Sequence, residues 1–103
     1  MNINILLILK RGLIMPRKET VKKVIDGDTF TTENRKNPVR LAGVDTPEKG
    51  QPGYVKAKKA LEELILGKTV SIDTKARDKY SRSVAKVKVG TKSVNKAMKN
   101  YEK

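Results

Sequence analysis

Residues 20–48 read TVKKVIDGDTFTTENRKNPVRLAGVDTPE, and the alternation in this stretch decides the fold. Thr20 to Ile25 is rich in β-branched residues, which suit a strand. The run ends at Asp26-Gly27, a strong short-range hairpin signal. Thr29 to Glu33 reads as the returning strand, with Phe30 and Thr32 on one face. Asn34 to Asn37 is polar and reads as a loop. Pro38 to Val44 reads as a third strand, stopped by Asp45-Thr46-Pro47. Arg40 lies between Val39 and Leu41, so it faces away from its apolar neighbours. Three strands joined in this way form a meander, which lets the ends of the first and third strands meet at one rim.

Working outward, Lys49 to Gly53 is a loop, and after it the period changes. Ala57, Ala60, Leu61, Leu64 and Ile65 share one face of a helix, and Gly67 supplies its stop. Val70 and Ile72 alternate with polar residues and predict a fourth strand. Thr74 to Tyr80 reads as a charged loop, and Arg82 to Val89 as a fifth strand with Ala85, Val87 and Val89 on one face. Gly90 turns the chain, and Ser93 caps a last helix in which Val94, Ala97, Met98 and Tyr101 share a face. The order βββαββα predicts a mainly β protein with α: a five-stranded Greek-key barrel of the OB type.

The chain has 103 residues, enough for one domain, and no internal repeat is visible. Lys and Arg number 24 against 11 Asp and Glu, a formal charge of +13 that draws the domain toward polyanions. Cys and His are both absent, which excludes disulfides, thiolate metal sites, Cys nucleophiles and imidazole acid–base chemistry. Any metal must then be held by oxygen, which points to hard divalent ions. Residues 1–15, MNINILLILKRGLIM, carry an apolar run from Ile3 to Leu9 that is too short for a bilayer span. Its charges follow the run instead of preceding it, so it makes no clear signal peptide, although secretion stays open. We expect residues 1–15 to be an N-terminal extension or a mis-called start, ahead of an added edge strand, and residues 16–103 to form the domain.

Three segments carry chemistry. Asp26-Gly27-Asp28-Thr29 alone is a tight turn. Arg40 with Asp45-Thr46-Pro47-Glu48 alone is a solvated strand residue before a turn, and Asp78-Lys79-Tyr80-Ser81-Arg82 alone is a solvated charge cluster. The meander joins the first two. Asp28 and Asp45 approach at one rim, where two carboxylates repel unless a cation or a proton lies between them. A hard divalent ion is the natural occupant. Arg40 and Arg82 bring guanidinium forks suited to phosphate oxygens. Glu48 is left to position or deprotonate a water, and the whole is a plausible site for cleaving a phosphodiester.

At these residues the sequence resembles the staphylococcal nuclease (thermonuclease) family. The matching segments are Val24–Phe30, Val39–Glu48, Asp78–Ala85 and Ser93–Asn95, in order across about residues 19–100. The resemblance implies an OB-type barrel and calcium-dependent hydrolysis of DNA and RNA at the 5′ P–O bond, leaving 3′-phosphate ends. It implies that Asp28 and Asp45 hold Ca2+ with the backbone carbonyl of Thr46. It implies Glu48 as general base, Arg40 and Arg82 on the scissile phosphate, and Lys79 and Tyr80 on the terminal phosphate of a bound nucleotide. Asp26 matches an acid beside the site and reads as structural. No protein partner is implied, and a monomer is expected.

The sequence also departs from the family. Ser81 stands where many members have Gly, which strains the turn if that position needs φ > 0. The loop Lys49–Gly53 is short, and the chain ends at Lys103, where longer members continue with a further helix. The expectation is therefore a short form lacking the C-terminal helix. Two other readings stay open. One is a non-catalytic OB-type nucleic-acid-binding module or inactive truncated nuclease. The other is a peripheral membrane protein using the basic surface and the Ile3–Leu9 run.

Overall fold

A computed structural model of the chain describes residues 16–103, so the expectation for residues 1–15 lies outside the described residues. The elements run β1 (Arg17–Asp26), β2 (Thr29–Thr32), β3 (Val39–Leu41), α1 (Tyr54–Ile65), β4 (Thr69–Arg77), β5 (Ser83–Val89), β6 (Lys92–Ser93) and α2 (Val94–Met98). One 3-10 turn follows at Lys99–Tyr101. The first three strands form the expected meander, and the sheet continues from β1 through β4 to β5. It closes where β3 pairs parallel with β5, Val39 to Ser83, Arg40 to Val84 and Leu41 to Ala85. Five strands thus form a closed mixed barrel of the OB type. The two-residue β6 forms a small hairpin with the end of β5.

The apolar alternation fills this barrel. Phe30, Leu41, Leu61, Ile65, Ile72 and Met98 are fully buried with the inward valines of every long strand. Each contributes about 1.5–3 kcal/mol by leaving water. Helix α1 presents Ala57, Leu61 and Ile65 chiefly to β1, while α2 presents Val94 and Met98 to the core against β5. Gly53 precedes α1 in a left-handed conformation (φ 88), and the helix begins at Tyr54, ahead of Ala57. Ser93 Oγ accepts the Lys96 N–H at 3.2 Å and caps α2 as expected.

Several strand ends differ from the sequence reading. β1 begins at Arg17 instead of Thr20, because Arg17, Lys18 and Glu19 pair with Ile72, Ser71 and Val70 of β4. Glu19 is buried there, and its carboxylate accepts from Thr32 Oγ1 at 2.6 Å and Arg35 Nε at 2.8 Å. β4 runs to Arg77, so Thr74–Arg77 is strand and not loop. Beyond a register shift at Thr74/Ala76 it pairs with Val84 and Ser83, forming a ribbon exposed along β4. β3 is shorter than Pro38–Val44, because Gly43 turns the chain at φ 71 after Leu41. Residues 42–48 are thereby released as the loop on which the site is built.

Candidate active site

The β1–β2 turn holds Asp26 and Asp28 at one rim of the barrel. Asp26 Oδ1 accepts the Asp28 N–H at 3.1 Å, which tightens the turn. Asp28 is buried. Its Oδ1 accepts from Thr29 Oγ1 at 2.8 Å, and its Oδ2 accepts the Thr46 N–H at 3.0 Å. Those bonds tie the turn to the loop after β3. Gly27 sits between them because the gap is too small for a side chain. A Cβ there would lie 2.7 Å from Ala57 Cβ and 2.7 Å from Thr46 Oγ1.

Arg40 reaches across from β3. Its Nη1 lies 3.4 Å from Asp28 Oδ2, and its Nη2 lies 3.7 Å from Asp45 Oδ1. Nη1 also donates to Leu41 O at 2.9 Å and to Val44 O. One guanidinium therefore draws both carboxylates and the loop together, and it leaves one negative charge of the three groups unbalanced. Asp45 is exposed; its N–H donates to Glu102 Oε2 at 3.0 Å, and Lys103 Nζ stands 3.9 Å from its Oδ2.

Charges at this rim are separated by environment. Burial, together with the hydrogen bond and charge of Asp28, pushes Asp26 up from 3.8 to about 6. Burial acts upward on Asp28 too. The hydrogen bonds it shares with Asp26, Thr46 N–H and Thr29 Oγ1, and the nearby Arg40, outweigh it and hold Asp28 below 3.8. As pH falls through about 6, Asp26 takes up a proton while Asp28 stays ionised.

The donor set fits a hard cation. Asp28 and Asp45 offer carboxylate oxygens that already converge on one positive group, and the buried Thr46 Oγ1 has no hydrogen-bond partner. Among the described residues no three His, Cys, Asp or Glu side chains form a metal cluster. An ion here would accordingly complete its shell with waters or with oxygens of a ligand.

Arg82 enters from the other strand of the closure. Asp78 organises its loop: its Oδ1 accepts from Tyr80 N–H at 2.9 Å and Arg82 N–H at 3.0 Å, and its Oδ2 accepts from Arg82 Nε at 2.6 Å. Burial acts upward on the Asp78 carboxyl, but these bonds and the Arg82 charge hold it below 3.8. Ser81 has φ 64, the only positive φ of a non-glycine among the described residues, so the turn does impose the conformation that Gly accepts more readily. The exposed Tyr80 ring lies under Lys79 Nζ at 5.3 Å and Arg82 Cζ at 5.2 Å.

A cleft of about 300 Å³ joins the parts; Arg40, Val44, Asp45, Asp78, Arg82 and Val84 line it. Asp28 and Thr46 stand directly behind Arg40. Glu48 does not line the cleft: it is exposed, and its N–H donates to Gln51 Oε1 at 2.7 Å. Lys79 and Tyr80 lie on the 78–82 loop outside the cleft wall. The sequence reading named Asp78 only as part of a charge cluster, without a role, and passed over Glu102. The i,i+4 spacing of Asp78 and Arg82 signals the first, and nothing local signals the second.

Comparison with known proteins identifies the family. The family model described as "Staphylococcal nuclease homologue" matches residues 38–101. An "Uncharacterized endonuclease" of Haemophilus influenzae is 40% identical over 81 residues, covering 76% of this chain and 46% of its own length. "Protein ParB" of Escherichia coli is 38% identical over 69 residues, covering 65% and 39%. A "Micrococcal nuclease" of Shigella flexneri is 36% identical over 69 residues, covering 65% and 40%. The chain spans less than half the length of these relatives.

Proposed function

Because the chain belongs to the staphylococcal nuclease family, we propose that it is a calcium-dependent nuclease acting on DNA and RNA. The observation that carries the reading is the convergence of Arg40, Asp45 and Arg82 on one small cleft, with Asp28 directly behind Arg40. Arg40 and Arg82 bind the scissile phosphate with their forks. Arg82 exchanges the carboxylate of Asp78 for phosphate oxygens, and Tyr80 with Lys79 takes the neighbouring phosphate. Asp28, Asp45 and the Thr46 carbonyl hold Ca2+. Once bound, that ion supplies positive charge to the phosphate oxygens and acidifies water. Glu48, on the loop just past Thr46, takes the proton from the water that attacks phosphorus. The 5′ P–O bond breaks, the 5′ oxygen leaves with a proton taken from solvent water, and the phosphate stays on the 3′ side. Asp28 is suited to its part because its carboxyl is held ionised.

Plasmid and single-stranded RNA digestion, with Ca2+ and with chelator, tests the reading. Cleavage is expected with Ca2+ and abolished by chelator. Glu48→Gln is expected to lower the rate about 10²–10⁴-fold, the usual contribution of a general base. Full activity in chelator, or no loss in Glu48→Gln, would refute the mechanism.

A further inference from the structure

The outward face of β5 does not stop at the active cleft. Val84 of β5 lines that cleft together with Arg82, just before the strand, and the next two outward residues of β5 are Lys86 and Lys88, both exposed. They line a second cleft of about 330 Å³ that includes Ala42, and Lys96 and Lys99 of α2 and its following turn close its far side. Ala42 sits in the chain between Leu41 and Gly43, which line the active cleft, so the two clefts are neighbours along this loop.

The charges here are uncommitted. Among the described residues, Lys86, Lys88 and Lys96 have no carboxylate within ion-pair distance, and Lys99 has only Glu102 at 3.6 Å. Asp73 pairs with Lys86 across the sheet, but its carboxylate is held by Lys75 at 2.8 Å. The larger cleft elsewhere on the barrel is a poorer candidate. Its Arg35 and Arg17 are drawn to the buried Glu19 on its floor, and its Arg77 donates to Ser81 O. The lysine cleft, by contrast, offers point charges on flexible stems over a floor of Ala42 and Val87, which suits a phosphate backbone read without sequence preference.

We propose that the β5–α2 lysine cleft is the track along which the backbone of a single-stranded polynucleotide continues from the active cleft. Strand rise puts Lys88 about 20 Å from Arg82, and binding sites of OB barrels cover about 4–16 nucleotides, so the track holds several. Tyr80, exposed beside Arg82, gives a stacking surface at the opposite end. The proposal rests on the nuclease reading for its direction, since the active cleft is where the track begins.

The test separates the two ideas by measuring binding without turnover. Fluorescence anisotropy in chelator follows a single-stranded 12-mer and a dinucleotide across 50–200 mM salt. The full chain is compared with the triple variant Lys86→Gln, Lys88→Gln, Lys96→Gln. A control triple, Lys22→Gln, Lys23→Gln, Lys59→Gln, removes the same charge from exposed sites elsewhere. Three lost phosphate contacts on a single strand lower the salt slope by about 2, so the affinity lost across this salt range shrinks about 20-fold for the 12-mer. The dinucleotide and the control triple should change far less, and a Lys→Arg triple at 86, 88 and 96 should keep the wild-type slope, which separates charge from misfolding. Equal effects of the two triples, or equal losses on the 12-mer and the dinucleotide, would overturn the track. Pelleting with phosphatidylserine vesicles that is tighter than 12-mer binding and lost in the first triple would overturn it in favour of a membrane surface. Absence of Ca2+-dependent cleavage would overturn the nuclease reading alone, because the anisotropy result does not depend on it.

Discussion

Asn95 binds three backbone groups from two elements, and removing its side chain should unfasten the site loop from the barrel. Its Oδ1 accepts the Val87 N–H at 2.8 Å, and its Nδ2 donates to Ala42 O and Ala85 O, each at 3.0 Å. The amide orientation follows from its partners, since only Oδ1 can accept and only Nδ2 can donate to two carbonyls. Each such bond contributes about 0.5–1.5 kcal/mol, and a group stranded without a partner costs more. Ala85 O keeps the Ala42 N–H at 2.8 Å, which softens one of the three losses. The sum for Asn95→Ala is about 2–4 kcal/mol, against a total of about 5–15 kcal/mol for a domain. Urea unfolding followed by circular dichroism reads it: with a slope of about 2 kcal/mol/M, the midpoint should fall by about 1–2 M. Asn95→Asp is the sharper control, since it keeps the acceptor for Val87 and sets a carboxylate against two carbonyls. A midpoint for Asn95→Asp within about 0.2 M of wild type would refute the reasoning, because it would mean that the two carbonyl contacts contribute nothing.

Gly27→Ala should destabilise by about 1–3 kcal/mol through overpacking against Ala57 and Thr46, lowering the melting temperature by about 5–15 °C in a thermal scan. An unchanged melting temperature would show that the gap can open freely. Asp78 should titrate below 3.8 by carbon-detected NMR, and Arg82→Ala should move it upward, since the Arg82 side chain supplies the Nε hydrogen bond and the positive charge that help hold it down, while the backbone N–H bonds remain. Because its folded value is depressed, its stabilisation is present above the unfolded value and is lost as the pH falls below about 3.8. An Asp78 midpoint above 3.8 would contradict the geometry of the loop.

What the sequence made legible is what its local periodicity encodes. The meander, the α1 face and the Ser93 cap follow from spacing alone, and so does the rim where Asp28, Arg40, Asp45 and Thr46 meet, because all four lie in or beside one three-stranded unit. The misjudged ends are places where distant pairing decides. Arg17–Glu19 has too little apolar alternation to read as strand, yet β4 pairs with it and Glu19 finds Thr32 and Arg35. Thr74–Arg77 is exposed and charged, and only the register with β5 makes it strand. The raised Asp26 and the grip of Glu102 on Asp45 were not legible either, since both depend on burial and on contacts from remote parts of the chain.

The parallel pairing of β3 with β5 has a kinetic consequence. Leu41 and Ala85 lie 44 positions apart in sequence, whereas β1, β2 and β3 join through short turns. Local contacts form first, and distant ones must await closure of a long loop. During folding, Asp28, Arg40 and Asp45 therefore come together early, and Arg82 arrives only when the barrel shuts. A partly folded chain carries the acidic rim without its second arginine, so the complete constellation exists only in molecules that have finished folding.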